Sequence, residues 1–265
     1  MESNILSFGR DESRPYDDPV TFSPVSSILL PDMIVLGHRG IYNRLYSENT
    51  LEAFDEAVRQ GADGIEFDLR VSKDGELIVI HDANLRRVAG DVHRIAELTG
   101  EELALITLRN GGKIPTLADV TARYHAPLTL DMEVKDKDVL ESLVAKLKTS
   151  SALRERTIVS SFHATVLLRV RRELPDVRTL LLVKRWPLPL GGKKFWTRID
   201  RLKPWGIGFQ LILLNRKRVQ FLHQRNLQVG AWDGRGTLRE ARKARTLQVD
   251  VAIVKHVKEV KLPVT

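Results

Sequence analysis

The stretch Gly64-Ile65-Glu66-Phe67-Asp68-Leu69-Arg70-Val71-Ser72-Lys73-Asp74-Gly75-Glu76-Leu77-Ile78-Val79-Ile80-His81 decides the fold. Its first part alternates carboxylates with large apolar residues, the period of a strand with one polar and one apolar face. Its last part is a second apolar run. Too few residues separate the two for a crossover helix, so they cannot be parallel neighbours. Asp74-Gly75 is instead a strong two-residue hairpin signal, and the second run is expected to fold back as an antiparallel arm. A two-residue turn would set Lys73 opposite Glu76 and Asp68 opposite His81. Glu66 would share the face of Asp68, so three ionisable groups should converge from one local piece of chain.

Outward from this arm the chain alternates short apolar runs with amphipathic segments. Strands are expected at 34–36, 64–69, 128–134, 157–160, 179–183, 206–209, 228–231 and 251–254. Helices fit between most of them. Asn49 with Glu52 forms a capping-box pattern before a helix at 50–60 that Gly61 would end. Thr237 with Glu240 repeats the pattern, and Asn215 can cap a helix at 216–225. Such alternation predicts a parallel α/β sheet. Eight strands in a chain of 265 residues suit a closed (β/α)8 TIM barrel, with the hairpin arm after its second strand, better than an open doubly wound sheet. Residues 1–32 are rich in Ser, Pro and Asp without periodicity and read as an N-terminal extension, with the barrel domain at 33–265.

Composition narrows the function. With 43% hydrophobic and 29% charged residues the chain has material for a real core. It contains no cysteine, which removes disulfides, thiol nucleophiles and Cys-ligated metal centres. Its start lacks a basic region followed by a long apolar run, and no stretch approaches the ~20 apolar residues of a membrane span. The expectation is a cytoplasmic protein, peripheral to a membrane at most. The net charge of +8 is divided unevenly: residues 1–135 carry 14 Lys+Arg against 23 Asp+Glu, and residues 136–265 carry 28 against 11.

Carboxylates on a buried strand need partners or a metal. Glu66 and Asp68 meet this condition on one strand, and Asp131, Glu133 and Lys135 on another. An all-oxygen donor set points to a hard cation, Mg²⁺ or Ca²⁺. A polar layer neutralised by Arg and Lys would satisfy the same residues. His38-Arg39-Gly40 ends the first strand, where a barrel presents its active-site loops.

Taken together, His38-Arg39-Gly40, Glu48-Asn49-Thr50, Glu66-Phe67-Asp68, Lys73-Asp74-Gly75, His81-Asp82, Ile114-Pro115-Thr116-Leu117 and Glu133-Val134-Lys135 resemble the glycerophosphodiester phosphodiesterase family in order and spacing. The resemblance implies a barrel that uses a divalent metal to hydrolyse a glycerophosphodiester to glycerol 3-phosphate and an alcohol. By position it implies Glu66, Asp68 and Glu133 as metal ligands and His38 and His81 as the general acid/base pair; His81 as acid and His38 as base is the expected assignment, although the sequence alone does not separate the two roles. Arg39 and Lys135 would hold the phosphate, Glu48 would orient the site, and Trp232 would line it. A lysophospholipid or another anionic glycerophosphodiester is a further substrate class. The alternatives are a phospholipase D-like lyase that forms a cyclic phosphate, and a catalytically silent lipid-binding barrel.

The likeness weakens toward the C-terminus. Ser47 stands where the family has Pro, Asp233-Gly234-Arg235 follow Trp232 in place of Thr and Asn, and Lys255-His256 replace a Thr-Asp. Segment 184–208 carries Trp186, Trp196 and Trp205 among Lys184, Arg185, Lys193, Lys194 and Arg198. Aromatics among cations suit an anionic membrane surface, and equally a barrel helix with packed rings and solvated cations. No nucleic-acid-binding motif accompanies the charge, so nucleic acid is not an expected partner.

Overall fold

The computed structural model describes residues 33–187 and 189–261; the expected extension at 1–32 lies outside the described residues. Eight parallel strands form the barrel: β1 (Ile34–His38), β2 (Gly64–Val71), β4 (Thr129–Val134), β5 (Thr157–Ser161), β6 (Arg178–Val183), β7 (Gly206–Gln210), β8 (Gln228–Trp232) and β9 (Val251–Val254). β1 pairs with both β9 and β2, which closes the sheet. The open doubly wound alternative is thereby excluded.

β3 (Leu77–Val79) is the antiparallel arm on β2. Its register differs from the expected one. Leu69 pairs with Val79 and Val71 with Leu77, one residue off a two-residue turn, and the Ile80 N–H bonds the Asp68 carbonyl. The loop holds three residues, Lys73-Asp74-Gly75, between Ser72 and Glu76. Gly75 takes a left-handed φ of 86° and its N–H bonds Ser72 O. This is the three-residue hairpin in which a type I turn is followed by a left-handed glycine, and the extra residue shifts the pairing by one. Asp68 therefore lies opposite Ile80, not His81. Beyond β3 the arm continues to residue 116 around its own small core of Ile78, Ile80, Leu85, Ile95, Leu103, Leu108 and Ile114.

The alternation along β2 and β4 sorts their side chains. Ile65, Phe67 and Leu69, with Leu130, Met132 and Val134, join the core beneath the helices. Glu66, Asp68, Asp131 and Glu133 are the intervening residues, and all four are buried. Beside them the barrel interior holds an apolar cluster built on Leu36, Ile158, Leu180, Leu182, Val251 and Ile253. Leu180 and Leu182 fit because β7 and β8 present glycines to them: a Cβ on Gly208 would lie 2.7 Å from Leu182, and one on Gly230 2.9 Å from Leu180.

The cap of helix α1 (Leu51–Arg59) also departs from expectation. Thr50, not Asn49, is the N-cap, its hydroxyl accepting from the Ala53 N–H at 3.2 Å. The other two expected caps are present: Thr237 and Glu240 form the capping box of the helix Leu238–Leu247, and Asn215 caps the helix Arg216–His223.

Segment 184–208 divides between two cores. Trp186, Phe195 and Trp196 are half-buried against the helix-side core, the last two on the helix Pro189–Leu202. Arg218 lies 4.6 Å over Trp186 and Arg225 4.7 Å over Trp196. Trp205 packs instead with the barrel-interior cluster just before β7. The three indoles therefore do not make one exposed face.

Candidate active site

A cavity of about 490 Å³ opens at the C-terminal ends of the strands, where barrels carry their chemistry. His38, Arg39, Glu66, His81, Glu133, Lys135 and Trp232 line it. Asp68 is fully buried beneath the rim. The local fold explains the first of these. After β1 the chain turns sharply, with Arg39 and Gly40 both at positive φ. A Cβ at residue 40 would fall 2.5 Å from the backbone of Ala53, so only glycine fits. The turn delivers the Arg39 N–H to Glu66 Oε2 at 2.9 Å.

Glu66, Asp68 and Glu133 bring their ligand atoms within 4.8 Å of one another. Three carboxylates this close are a set that could hold a cation, and their oxygen donors suit a hard divalent ion. Burial, and then repulsion from Asp68, pushes the Glu66 carboxyl above the usual carboxylate range. Burial would raise Asp68 as well, but Arg39 and Lys135 outweigh it and hold Asp68 well below that range. Arg39 Nε lies 3.1 Å from Asp68 Oδ2, and Lys135 Nζ lies 2.9 Å from Asp68 Oδ1 and 2.6 Å from Glu133 Oε1. Lys135 thus supplies part of the positive charge that the cluster demands, and Glu66 is left with least. The residues fit a divalent cation.

Asn49 acts here rather than at the helix cap. It adopts a φ of 57° and donates from Nδ2 to Asp68 Oδ2 at 2.8 Å, while its Oδ1 accepts from the Asp68 N–H. Glu48 does not line the cavity. It accepts from Arg39 at 3.0 Å and from Arg87 at 2.6 Å, so its contribution is to hold Arg39 in place.

Each histidine is held by an aspartate. His38 Nδ1 lies 2.6 Å from Asp233 Oδ1, and Asp233 Oδ2 accepts from the Lys255 N–H at 2.7 Å. His81 Nδ1 lies 2.6 Å from Asp82 Oδ1, and Asp82 Oδ2 accepts from Arg87 Nε at 2.6 Å. An aspartate on Nδ1 fixes the tautomer and leaves Nε2 as the reactive nitrogen. Burial works against charge on His38, but the Asp233 hydrogen bond and the nearby Glu66 outweigh it and push its pKa up to about 9. Burial lowers His81. Asp233 is the functional residue that the sequence reading did not single out, although its departure from the family pattern marked the position. Trp232 beside it meets Phe162 edge-on, with ring centroids 5.6 Å apart.

Residues 38–259 match the model of the glycerophosphoryl diester phosphodiesterase family. A glycerophosphodiester phosphodiesterase from Caldanaerobacter subterraneus subsp. tengcongensis is 32% identical over 175 residues, covering 59% of this chain and 71% of that protein. The crystal structure of glycerophosphodiester phosphodiesterase from Thermotoga maritima superposes with a TM-score of 0.70 at 27% identity, covering 85% of this chain and 96% of the other. An Oleispira antarctica phosphodiesterase, solved in complex with the product sn-glycerol-3-phosphate, shares the fold at a TM-score of 0.73 and 22% identity, covering 86% and 94%. A matched family model over most of the chain, on a barrel whose acidic and histidine residues meet in one cavity, places this protein in the glycerophosphoryl diester phosphodiesterase family.

Proposed function

We propose that this protein hydrolyses a glycerophosphodiester to glycerol 3-phosphate and an alcohol, with Mg²⁺ or Ca²⁺ held by Glu66, Asp68 and Glu133. The observation that carries the reading is the convergence of those carboxylates with two Asp-paired histidines in one cavity. When bound, the cation would offset negative charge on the phosphate oxygens as the transition state forms. Arg39 and Lys135 add fixed positive charge on the same oxygens. His38 Nε2 takes the proton of the attacking water as the new P–O bond forms. His81 Nε2 gives its proton to the leaving alkoxide as the old P–O bond breaks, and exchange with solvent restores both rings. His38 must be neutral to act as base, and Glu66 is one of the groups that keep it protonated. Charge compensation at Glu66 therefore favours the base form. The sn-glycerol-3-phosphate held by the Oleispira protein of the same fold is the product this reaction would give.

Contact of 184–208 with an anionic membrane draws no support from the side chains. The rings that would insert are packed on the core, and no described helix is long and apolar enough to cross a membrane.

Phosphorus NMR of the reaction with glycerophosphocholine tests the proposal. The expected result is a growing glycerol 3-phosphate signal that requires added Mg²⁺ or Ca²⁺ and stops on chelation. A cyclic phosphate as the stable end product would make the protein a lyase. No turnover of any glycerophosphodiester with either metal would leave the silent-barrel reading.

A further inference from the structure

One wall of the cavity takes no part in the reaction proposed above. Lys184, the first residue after β6, reaches into the cavity lining, and its ammonium lies 5.1 Å from the centre of the Phe162 ring. Among the described residues no carboxylate pairs with it. The carboxylates that do line the cavity are all engaged: Glu66 accepts from the Arg39 N–H, Glu133 from Lys135, and Asp233 from His38 and the Lys255 N–H. The wall at Lys184 therefore carries a positive charge with no carboxylate paired to it among the described residues. Its aromatic face is already covered by a cation of the protein's own.

That arrangement is the reverse of a choline site. A quaternary ammonium is bound by open aromatic faces, with anionic groups close by. Here Lys184 would both repel such a group and compete with it for the Phe162 ring. An anionic group on the alcohol would instead meet an uncompensated ammonium. The cavity, at about 490 Å³, is roomy enough for a diester with a substituted alcohol arm.

We infer that Lys184 forms an anion subsite that selects glycerophosphodiesters whose alcohol carries a second phosphate over those with a neutral or cationic alcohol. The inference rests on the proposed hydrolysis and names its substrate class. Deacylated cardiolipin, bis(glycerophospho)glycerol, and glycerophosphoinositol 4-phosphate both carry that chemistry. Each has a partner without the second phosphate: glycerophosphoglycerol, which lacks the second glycerophosphate unit, and glycerophosphoinositol.

The test compares kcat/KM for both pairs and for glycerophosphocholine in the wild type, Lys184→Arg, Lys184→Ala and Lys184→Glu, at low and high salt. Lys184 is exposed, so the variants should fold. A partly exposed ion pair is worth roughly fivefold. The wild type and Lys184→Arg should therefore favour the phosphate-bearing member of each pair by about fivefold per scissile bond. The preference should vanish in Lys184→Ala, reverse in Lys184→Glu, and shrink with salt. Lys184→Glu should also gain on glycerophosphocholine. Preference for one pair alone would assign the subsite to cardiolipin-derived or to inositide-derived substrates. Turnover with ratios that do not respond to residue 184 overturns this inference and leaves the hydrolysis standing. No turnover of any of the five diesters overturns both.

Discussion

Glu66→Gln should lower kcat/KM by about 10³-fold or more without weakening the fold. The loss follows from removing one of three anionic donors from a site whose cation supplies several kcal/mol of transition-state stabilisation. The unchanged stability follows from the cost of the native residue. Glu66 is 3% exposed, and burial together with Asp68 already disfavours its charge. Glutamine keeps the shape and the oxygen that accepts from the Arg39 N–H, while removing the carboxylate–carboxylate repulsion. Thermal unfolding without metal should therefore show a melting temperature equal to or above that of the wild type. Activity and stability moving in opposite directions marks a functional carboxylate, one kept despite its energetic cost. If Glu66→Gln instead retained activity, or lost activity only because it unfolded, Glu66 would be a structural member of a neutralised polar layer.

His38→Ala and His81→Ala should each cost about 10²–10⁴-fold in kcat, the range of a positioned acid or base. They should differ in how the leaving group rescues them. A general acid matters in proportion to the basicity of the alkoxide it protonates. With glycerol 3-phosphate esterified to p-nitrophenol, whose anion leaves unaided, the His81→Ala defect should shrink to within about tenfold of wild type. The His38→Ala defect should persist, because water still needs its proton removed. The opposite pattern would exchange the two roles. That exchange has a physical basis to be tested, since the Asp233 hydrogen bond and the nearby Glu66 push the His38 pKa up to about 9 against burial, whereas burial lowers that of His81.

The sequence was most legible where pattern and chemistry coincide. Glu66-Phe67-Asp68 could be read as a buried strand with an acidic face because the alternation is strict and the apolar partners are large, and that strand lies in the closed barrel with both carboxylates buried. The antiparallel direction of 77–79 was equally legible, because chain length forbids anything else. Its register was not. Asp74-Gly75 is compatible with a two- or a three-residue loop, and the choice depends on whether Gly75 lies inside the turn or in the left-handed position after it. One residue of slip sets Asp68 opposite Ile80, yet His81 still reaches the cavity from just beyond the strand. The place of Asn49 failed for a related reason. Asn and Thr are both good caps, and sequence cannot show that a left-handed backbone would turn Asn49 onto Asp68 and leave Thr50 to cap α1. Asp233 is 195 positions from His38 in sequence. Only barrel closure, which places β8 and β9 around the same mouth as β1, brings them together. The tryptophans of 184–208 fitted a membrane contact and a core-packed helix equally well in sequence; the chain crosses from the mouth to the opposite end of the barrel between Trp186 and Trp205, and the two rings enter different cores.

Whether Glu66, Asp68 and Glu133 together hold a divalent cation is read out by anomalous diffraction from crystals soaked in Mn²⁺. The expected result is one strong peak within about 2.0–2.6 Å of an oxygen from each of the three carboxylates, with the Lys135 ammonium drawn away from at least one of Asp68 and Glu133. Full Mn²⁺ exposure with no peak among them, and with Lys135 still bridging Asp68 and Glu133, would contradict it.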